Sequence, residues 1–261
     1  MAIFHQRIVL KIGTGVLTRS NRIRVDDPVF VDLARAIAAL QGGGRQVIVV
    51  SSGAVGAGLM ERGMKDRPED TASLQALAAM GQTGLMHHWK THLQYHDLVA
   101  AQLLLTYDDL KSEDRRGRIL RTLERLLDFG DVVPVINEND SVAVEELRFG
   151  DNDALSAHVA ALTGADLLVL LTTVDGLLDR SRAEGEQLVR HVQDLGEAEA
   201  LVEDTQGHLS VGGMRTKLEA VSVARRHGIP AIIAHGKHID RLPGIIAGEN
   251  LPCTRFLLPT S

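Results

Sequence analysis

Cysteine and aromatic residues are scarce in this chain, with one Cys and 3% Phe, Trp and Tyr among 261 residues. A lone Cys253 excludes an internal disulfide and a thiolate metal cluster by counting, and fits a reducing compartment. So few aromatics leave the core to Val, Ile, Leu and Ala, which suits a sheet covered by helices. No apolar run approaches the roughly 20 residues of a membrane helix, and the basic, apolar, small-residue order of a signal peptide is absent. The expectation is a cytoplasmic protein with no membrane partner. Charge of one sign is also lacking: 28 Lys and Arg stand against 34 Asp and Glu, a formal charge of -6 without a block of like residues. That argues against nucleic acid as the main partner. No Pro- or Ser-rich linker, repeat or composition shift divides the chain, so residues 1–261 are expected to form a single domain.

What is abundant is aliphatic, at 44% hydrophobic residues, arranged as short β-branched runs alternating with longer stretches of helical period. The runs predict strands at Ile8–Ile12, Gln46–Ser51, Val99–Thr106, Val132–Ile136, Asp166–Thr172 and Ile229–Ala234, each buried on both faces. Crossover helices are expected at Pro28–Leu40, Thr71–Tyr95, Asp114–Phe129, Ala154–Leu162 and Met214–His227. Ser141–Gly150 reads as a small hairpin at the sheet edge, and the acidic cluster Glu197, Glu199, Glu203 and Asp204 as a solvated helix face.

Ligands of an open α/β sheet gather beyond the carboxyl ends of its strands. Those positions here are Lys11-Ile12-Gly13-Thr14-Gly15, Ser51-Ser52-Gly53-Ala54, Asn137-Glu138-Asn139-Asp140 and Thr172-Thr173-Val174-Asp175-Gly176. Gly13-Thr14-Gly15 lacks the third glycine of a dinucleotide fingerprint, and no glycine turn ends in the Gly-Lys-Ser or Gly-Lys-Thr of a Walker A loop. Two lysines remain for a polyphosphate: Lys11 at a strand end, and Lys217 after Gly212-Gly213 at the start of a helix. Taken singly, Lys11 reads as a strand-end lysine reaching solvent, and the glycine and Asp/Asn turns read as ordinary caps, with Asp151 a helix cap in either case. His88, His92 and His96 fall on one helical face beside His87, but no carboxylate motif accompanies them. A partly exposed face or a subunit interface is the expectation there, and no residue is assigned to a metal.

The order of these motifs decides between the readings. Val9-Leu10-Lys11-Ile12-Gly13-Thr14, Ser51-Ser52-Gly53-Ala54, Val133–Asp140, Gly150-Asp151-Asn152-Asp153 and Gly212-Gly213-Met214-Arg215-Thr216-Lys217 together resemble the glutamate 5-kinases of the amino acid kinase family. The resemblance implies an α/β fold, a three-layer αβα sandwich with a mainly parallel central sheet, binding L-glutamate in its N-terminal half and ATP in its C-terminal half. It implies phosphorylation of the γ-carboxylate to γ-glutamyl phosphate, the first step of proline synthesis, with Mg²⁺ on the phosphates. Lys11, Lys217 and Asp153 would be catalytic, Asp153 sitting between the two ammonium groups. Ser52, Gly53, Ala54, Asn137, Asp140 and Asn152 would hold glutamate. Lys11, Gly13, Thr172, Thr173, Gly212, Gly213, Met214 and Lys217 would hold ATP. Proline feedback inhibition and a homo-oligomer, dimer or tetramer, are implied as well.

The chain departs from the family pattern on the nucleotide side, with Thr173 where an Asp is usual and Val211 and Arg215 where Thr and Ser are usual. The preferred nucleoside is open for that reason. Many relatives also carry a C-terminal PUA domain of an RNA-binding type; this chain is expected to be a short form or a truncated one without it. Two other functions fit the same residues: another kinase of the family, such as an acetylglutamate kinase, or a catalytically silent module that senses glutamate, proline or nucleotide.

Overall fold

The computed structural model describes residues 6–19, 24–25, 27–143, 152–180, 185–203 and 211–258. In chain order, β1 (Arg7–Ile12) and the one-turn α1 (Thr14–Leu17) lead into a ribbon of β2 (Thr18–Arg19) and β3 (Arg24–Val25). Then come α2 (Asp27–Gly42), β4 (Gln46–Val50), α3 (Ala54–Glu61), α4 (Thr71–Gln94), β5 (Val99–Leu105), α5 (Tyr107–Lys111), α6 (Glu113–Asp128) and β6 (Val132–Glu138). The second half runs α7 (Asp153–Thr163), β7 (Leu167–Thr172), β8 (Leu178–Asp179), β9 (Gln187–Leu188), β10 (His191–Val192), α8 (Leu195–Glu203) and α9 (Val211–Arg226). It closes with β11 (Ala231–His235), the 3-10 turn η1 (Gly236–Arg241), α10 (Leu242–Ala247) and β12 (Thr254–Phe256).

Eight strands form one sheet in the order β10-β12-β11-β7-β1-β4-β6-β5, parallel at every pairing except β11 with β12. Helices cover both faces, as the α/β sandwich expectation requires. On one face Ile8, Leu10 and Ile12 of β1 pack with α2, α4 and α10. On the other, Val9 packs with α6, α7, α8 and α9. The period-two alternation of a strand therefore sends Lys11, which shares Val9's side, toward the face covered by α7 and α9. None of the described helices is long and apolar enough to cross a membrane.

Three expectations need correction. β5 is an edge strand among the described residues, not one buried on both faces: Val99 is 52% and Leu104 36% exposed, because a uniformly apolar run does not reveal whether a neighbour lies on each side. β6 runs on to Glu138, so Asn137 belongs to the strand rather than to the turn after it. α9 begins at Val211, so Gly212 and Gly213 lie within its first turn, and Lys217 stands one turn further in than a helix start. Glu197 and Glu199 do fall on exposed positions of α8. The hairpin expected at Ser141–Gly150 and the cap expected at Asp151 fall largely on residues 144–151, outside the described residues.

The pair α3 and α4 is built on two glycines. A Cβ on Gly58 would sit 2.0 Å from the Leu77 carbonyl oxygen, and one on Gly81 2.0 Å from that of Ala54. Backbone thus lies against backbone where the helices meet. Gly81→Ala is expected to destabilise the protein by about 1–3 kcal/mol through overpacking, read as a lowered Tm. An unchanged Tm would show that the helices can part without cost.

Candidate active site

The carboxyl ends of β1, β4, β6 and β7 lie side by side in the sheet, and the chain turns there into α1, α3, the segment before α7, and the loop after Thr172. After β4 the chain reverses at Gly53, whose φ of 101° is in the left-handed region that favours glycine, and Ala54 starts α3. After β1, Gly13 donates its N–H to the Leu171 carbonyl at 3.1 Å, tying this turn to the end of β7. A Cβ on Gly15 would come within 2.8 Å of the Thr173 methyl, so the bare glycine lets the two turns close on each other.

Two clusters meet at the N-terminus of α7. The first is ionic. Asp153 is 0% exposed and receives Lys11 Nζ on Oδ1 at 2.6 Å and Lys217 Nζ on Oδ2 at 2.9 Å. Lys11 is 1% and Lys217 6% exposed, so three charges share one buried place. Thr216 Oγ1 donates to Asp153 Oδ2 at 3.1 Å, and Lys217 Nζ also donates to the Gly213 carbonyl at 3.0 Å. Gly13 faces this cluster: a Cβ there would lie 3.6 Å from Lys11 Nζ.

The second cluster is neutral. Asn152 is the N-cap of α7, yet its side chain makes no capping bond. Instead Asn152 Nδ2 donates to the Ser51 carbonyl at 2.6 Å and to Asn137 Oδ1 at 2.7 Å. Asn137 Nδ2 in turn donates to Gln82 Oε1 at 2.7 Å. All four of these residues are buried. Two polar atoms in this region, Ser52 Oγ and Gln82 Nε2, are buried and have no hydrogen-bond partner among the described residues. Such atoms cost stability unless a water or a ligand meets them. Trp89 Nε1 donates to Ser51 Oγ at 3.2 Å and fixes the strand end from behind.

The structure thus brings Lys11, Asp153, Lys217 and Gly13 together, and Asn137 and Asn152 together through their amides, with Ser52-Gly53-Ala54 next to Ser51. Adjacent residues Asn152 and Asp153 join the two groups. Asp140 is half-buried in the turn after β6. Thr172 ends β7, half-buried, and Thr173 is exposed beside Gly15. Met214 turns its side chain onto the apolar core of that face, and Gly213 contributes its carbonyl. Gly212 lies in the first turn of α9.

Two participants escaped the sequence reading. Gln82 sits inside a long helix with no motif around it; its signal is Gly81, which lets α4 come close enough to reach Asn137. Thr216, one residue before Lys217, has no signal of its own in the sequence, and its hydroxyl holds Asp153. At the rim beyond β7 and β11, Asp175 pairs with Lys237 at 2.9 Å and His238 at 3.2 Å. Burial pushes the Asp175 carboxyl up, but the Lys237 hydrogen bond and charge outweigh it and hold it below the usual carboxylate range. His235 is lowered, first by burial and then by Lys237, in keeping with its Nδ1 accepting the Lys237 backbone N–H at 3.0 Å.

Comparison with known proteins places this geometry. A glutamate 5-kinase of Thermus thermophilus is 44% identical over 243 residues, covering 92% of this chain and 64% of that protein. One of Symbiobacterium thermophilum is 43% identical over 248 residues, 94% of either chain. One of Deinococcus radiodurans is 44% identical over 254 residues, 96% of this chain and 69% of that one. The chain therefore spans under two thirds of the Thermus relative and nearly all of the Symbiobacterium one. Among solved structures, carbamate kinase from Giardia lamblia bound to AMP-PNP has the same fold, with a TM-score of 0.66 at 17% identity over 97% of this chain and 99% of that one. The pattern of the amino acid kinase family matches residues 6–235, which takes in β1 through β11 and both clusters, and the chain belongs to that family.

Proposed function

We propose that this chain transfers the γ-phosphoryl group of MgATP to the γ-carboxylate of L-glutamate, opening proline synthesis. The observation that carries the reading is Asp153, fully buried between the ammonium groups of Lys11 and Lys217 at the strand ends. The identities of 43–44% with glutamate 5-kinases support the choice of substrate.

A glutamate side chain has a pKa of about 4.3, so the nucleophile is ionised at neutral pH and needs no general base. One carboxylate oxygen bonds to the γ-phosphorus as the bond from that phosphorus to the β,γ-bridging oxygen breaks, and ADP leaves with the electron pair. No proton moves. The barrier is the approach of one anion to another, and fixed positive charge in a buried site lowers it. Lys11 would meet the transferring phosphoryl group and Lys217 the leaving side, with Asp153 fixing both in place. Mg²⁺ would enter with the nucleotide, on its phosphate oxygens. Gly13, Thr172, Thr173, Gly212, Gly213 and Met214 would frame the nucleotide.

Glutamate would lie against the neutral cluster. Ser52 Oγ and the amides of Gly53 and Ala54, at the start of α3, would receive a carboxylate. Asp140 and the Asn137 region would receive the ammonium, and Asn152 would touch substrate near the reacting carboxylate. Acetylation of the amine would remove the charge that Asp140 reads. Gln82 would act by holding Asn137 in place. Gln82→Ala is accordingly expected to raise the KM for glutamate about tenfold, the loss of one buried hydrogen bond, with kcat within about threefold. Steady-state kinetics read both, and a fall in kcat at unchanged KM would remove Gln82 from that role.

Proline acting as feedback inhibitor at the glutamate pocket, assembly as a homodimer or tetramer, a cytoplasmic location and a single kinase domain over residues 1–261 complete the proposal, on the strength of the family resemblance. ADP release from ATP, followed with and without glutamate, tests the function. Glutamate-dependent release is expected; binding of both ligands by calorimetry without any release would establish a silent sensing module instead.

A further inference from the structure

The histidines of α4 have a partner that the sequence conceals. Asp27, the first residue of α2, lies against them, and its Oδ1 is 2.9 Å from His88 Nδ1 and 2.8 Å from His92 Nε2. No carboxylate motif accompanies the series in the sequence; the fold supplies a carboxylate from 61 and 65 residues away. The face is partly exposed, as expected: His87 is exposed and His88 and His96 are half-buried, while His92 is buried at 9% exposed. The two imidazoles are one helical turn apart, nearly parallel at 9°, and both stack on Phe30 of α2. Their orientations are thus set by packing and not by the carboxylate alone.

We propose that Asp27, His88 and His92 form a site for a divalent transition metal of the zinc class, pinning the start of α2 to α4. The three donor atoms all lie within 4.8 Å of one another. Two imidazole nitrogens and one carboxylate oxygen are a donor set for zinc and its neighbours, whereas Mg²⁺ favours oxygen ligands throughout. Metal–ligand bonds of about 2.0–2.2 Å at tetrahedral angles hold donors roughly 3.3 Å apart. The Asp27 oxygen already lies nearer than that to each imidazole nitrogen, so closing on a metal asks the two nitrogens, within 4.8 Å of one another, to adjust with Asp27, which at 62% exposed is able to follow. Its open side leaves a fourth position to water.

None of Asp27, His88 and His92 belongs to the lysine or the asparagine cluster, and the test of the site needs no activity. Untagged protein stripped with EDTA is titrated with Zn²⁺ alone at pH 7.5 against a chromophoric chelator, and its Tm is read in parallel. One tight equivalent and a raised Tm are expected. Asp27→Asn and His88→Gln, both on partly exposed side chains, are expected to weaken that equivalent about 100-fold or more and to abolish the zinc-dependent rise in Tm, while their own zinc-free melting stays cooperative. A titration without a tight equivalent, or a tight equivalent that survives in both variants, overturns the proposal.

Discussion

Lys217→Ala is expected to lower kcat for glutamate-dependent ADP formation by roughly 10²- to 10³-fold, the scale of losing one positioned donor to developing charge. The reason is geometric. Lys217 lies on α9, on the side proposed for the nucleotide, and its ammonium reaches Asp153 at 2.9 Å, whereas the amides proposed to hold glutamate are those of Asn137 and Asn152. Its removal should therefore leave the KM for glutamate within about threefold, since an interaction made mainly in the transition state appears in kcat. The shortened side chain also leaves Asp153 with Lys11, so the fold should survive. Lys217→Arg is an informative companion: a guanidinium keeps the charge but cannot occupy the same small space, and only partial recovery is expected. Wild-type turnover in Lys217→Ala would remove this residue from the catalytic set.

Asp153→Asn is expected to act on both stability and rate. It keeps the shape of the side chain but takes the negative charge from between two buried ammonium groups. Breaking a buried ion pair from one side costs about 3–5 kcal/mol, so a fall in Tm of many degrees should accompany the change. The ammoniums of Lys11 and Lys217 would then lose the carboxylate between them, and kcat should drop about 10²-fold or more while glutamate still binds. MgATP should recover part of the lost Tm, because its phosphates replace the missing anion and because any ligand of the native state stabilises it. Denaturation with and without nucleotide, alongside kcat and KM, reads these effects. If stability and kcat are both unchanged, Asp153 does not hold the lysines.

The difference between what could be foreseen and what could not is a difference in how local each signal is. Lys11 was legible because it interrupts an apolar run two residues before Gly13, and the strand period alone sends it to the same side as Val9. The strands, the long helices and the glycine turn at Gly53 were legible for the same reason: each is decided by residues a few positions apart. Asn137 was found but placed in a turn, because polarity at the end of a strand looks like its end; in the fold the strand continues to Glu138 and the amide is used sideways, toward Gln82.

What was missed depends on contacts between distant segments. Gln82 has no motif, and only the close meeting of α3 and α4 at Gly58 and Gly81 makes its reach possible. Asp27 looks like an ordinary acidic residue at a helix start until α2 is laid against α4. The edge position of β5 is likewise a property of the assembled sheet, since among the described residues β6 is its neighbour on one side and no strand pairs with the other. Short strands such as β10 and β12 carry too few residues to show a period, and they take their place by pairing.

The central claim is that the buried Lys11–Asp153–Lys217 group transfers phosphate to the side-chain carboxylate of glutamate itself. Trapping the acyl phosphate with hydroxylamine as a hydroxamate tests it most directly, with ATP or GTP as donor and with glutamate or N-acetylglutamate as acceptor. The account predicts hydroxamate from ATP and glutamate, far less from N-acetylglutamate, and a loss of about 10²-fold or more in Asp153→Asn. Equal or greater turnover of N-acetylglutamate, or an undiminished rate in Asp153→Asn, would contradict it.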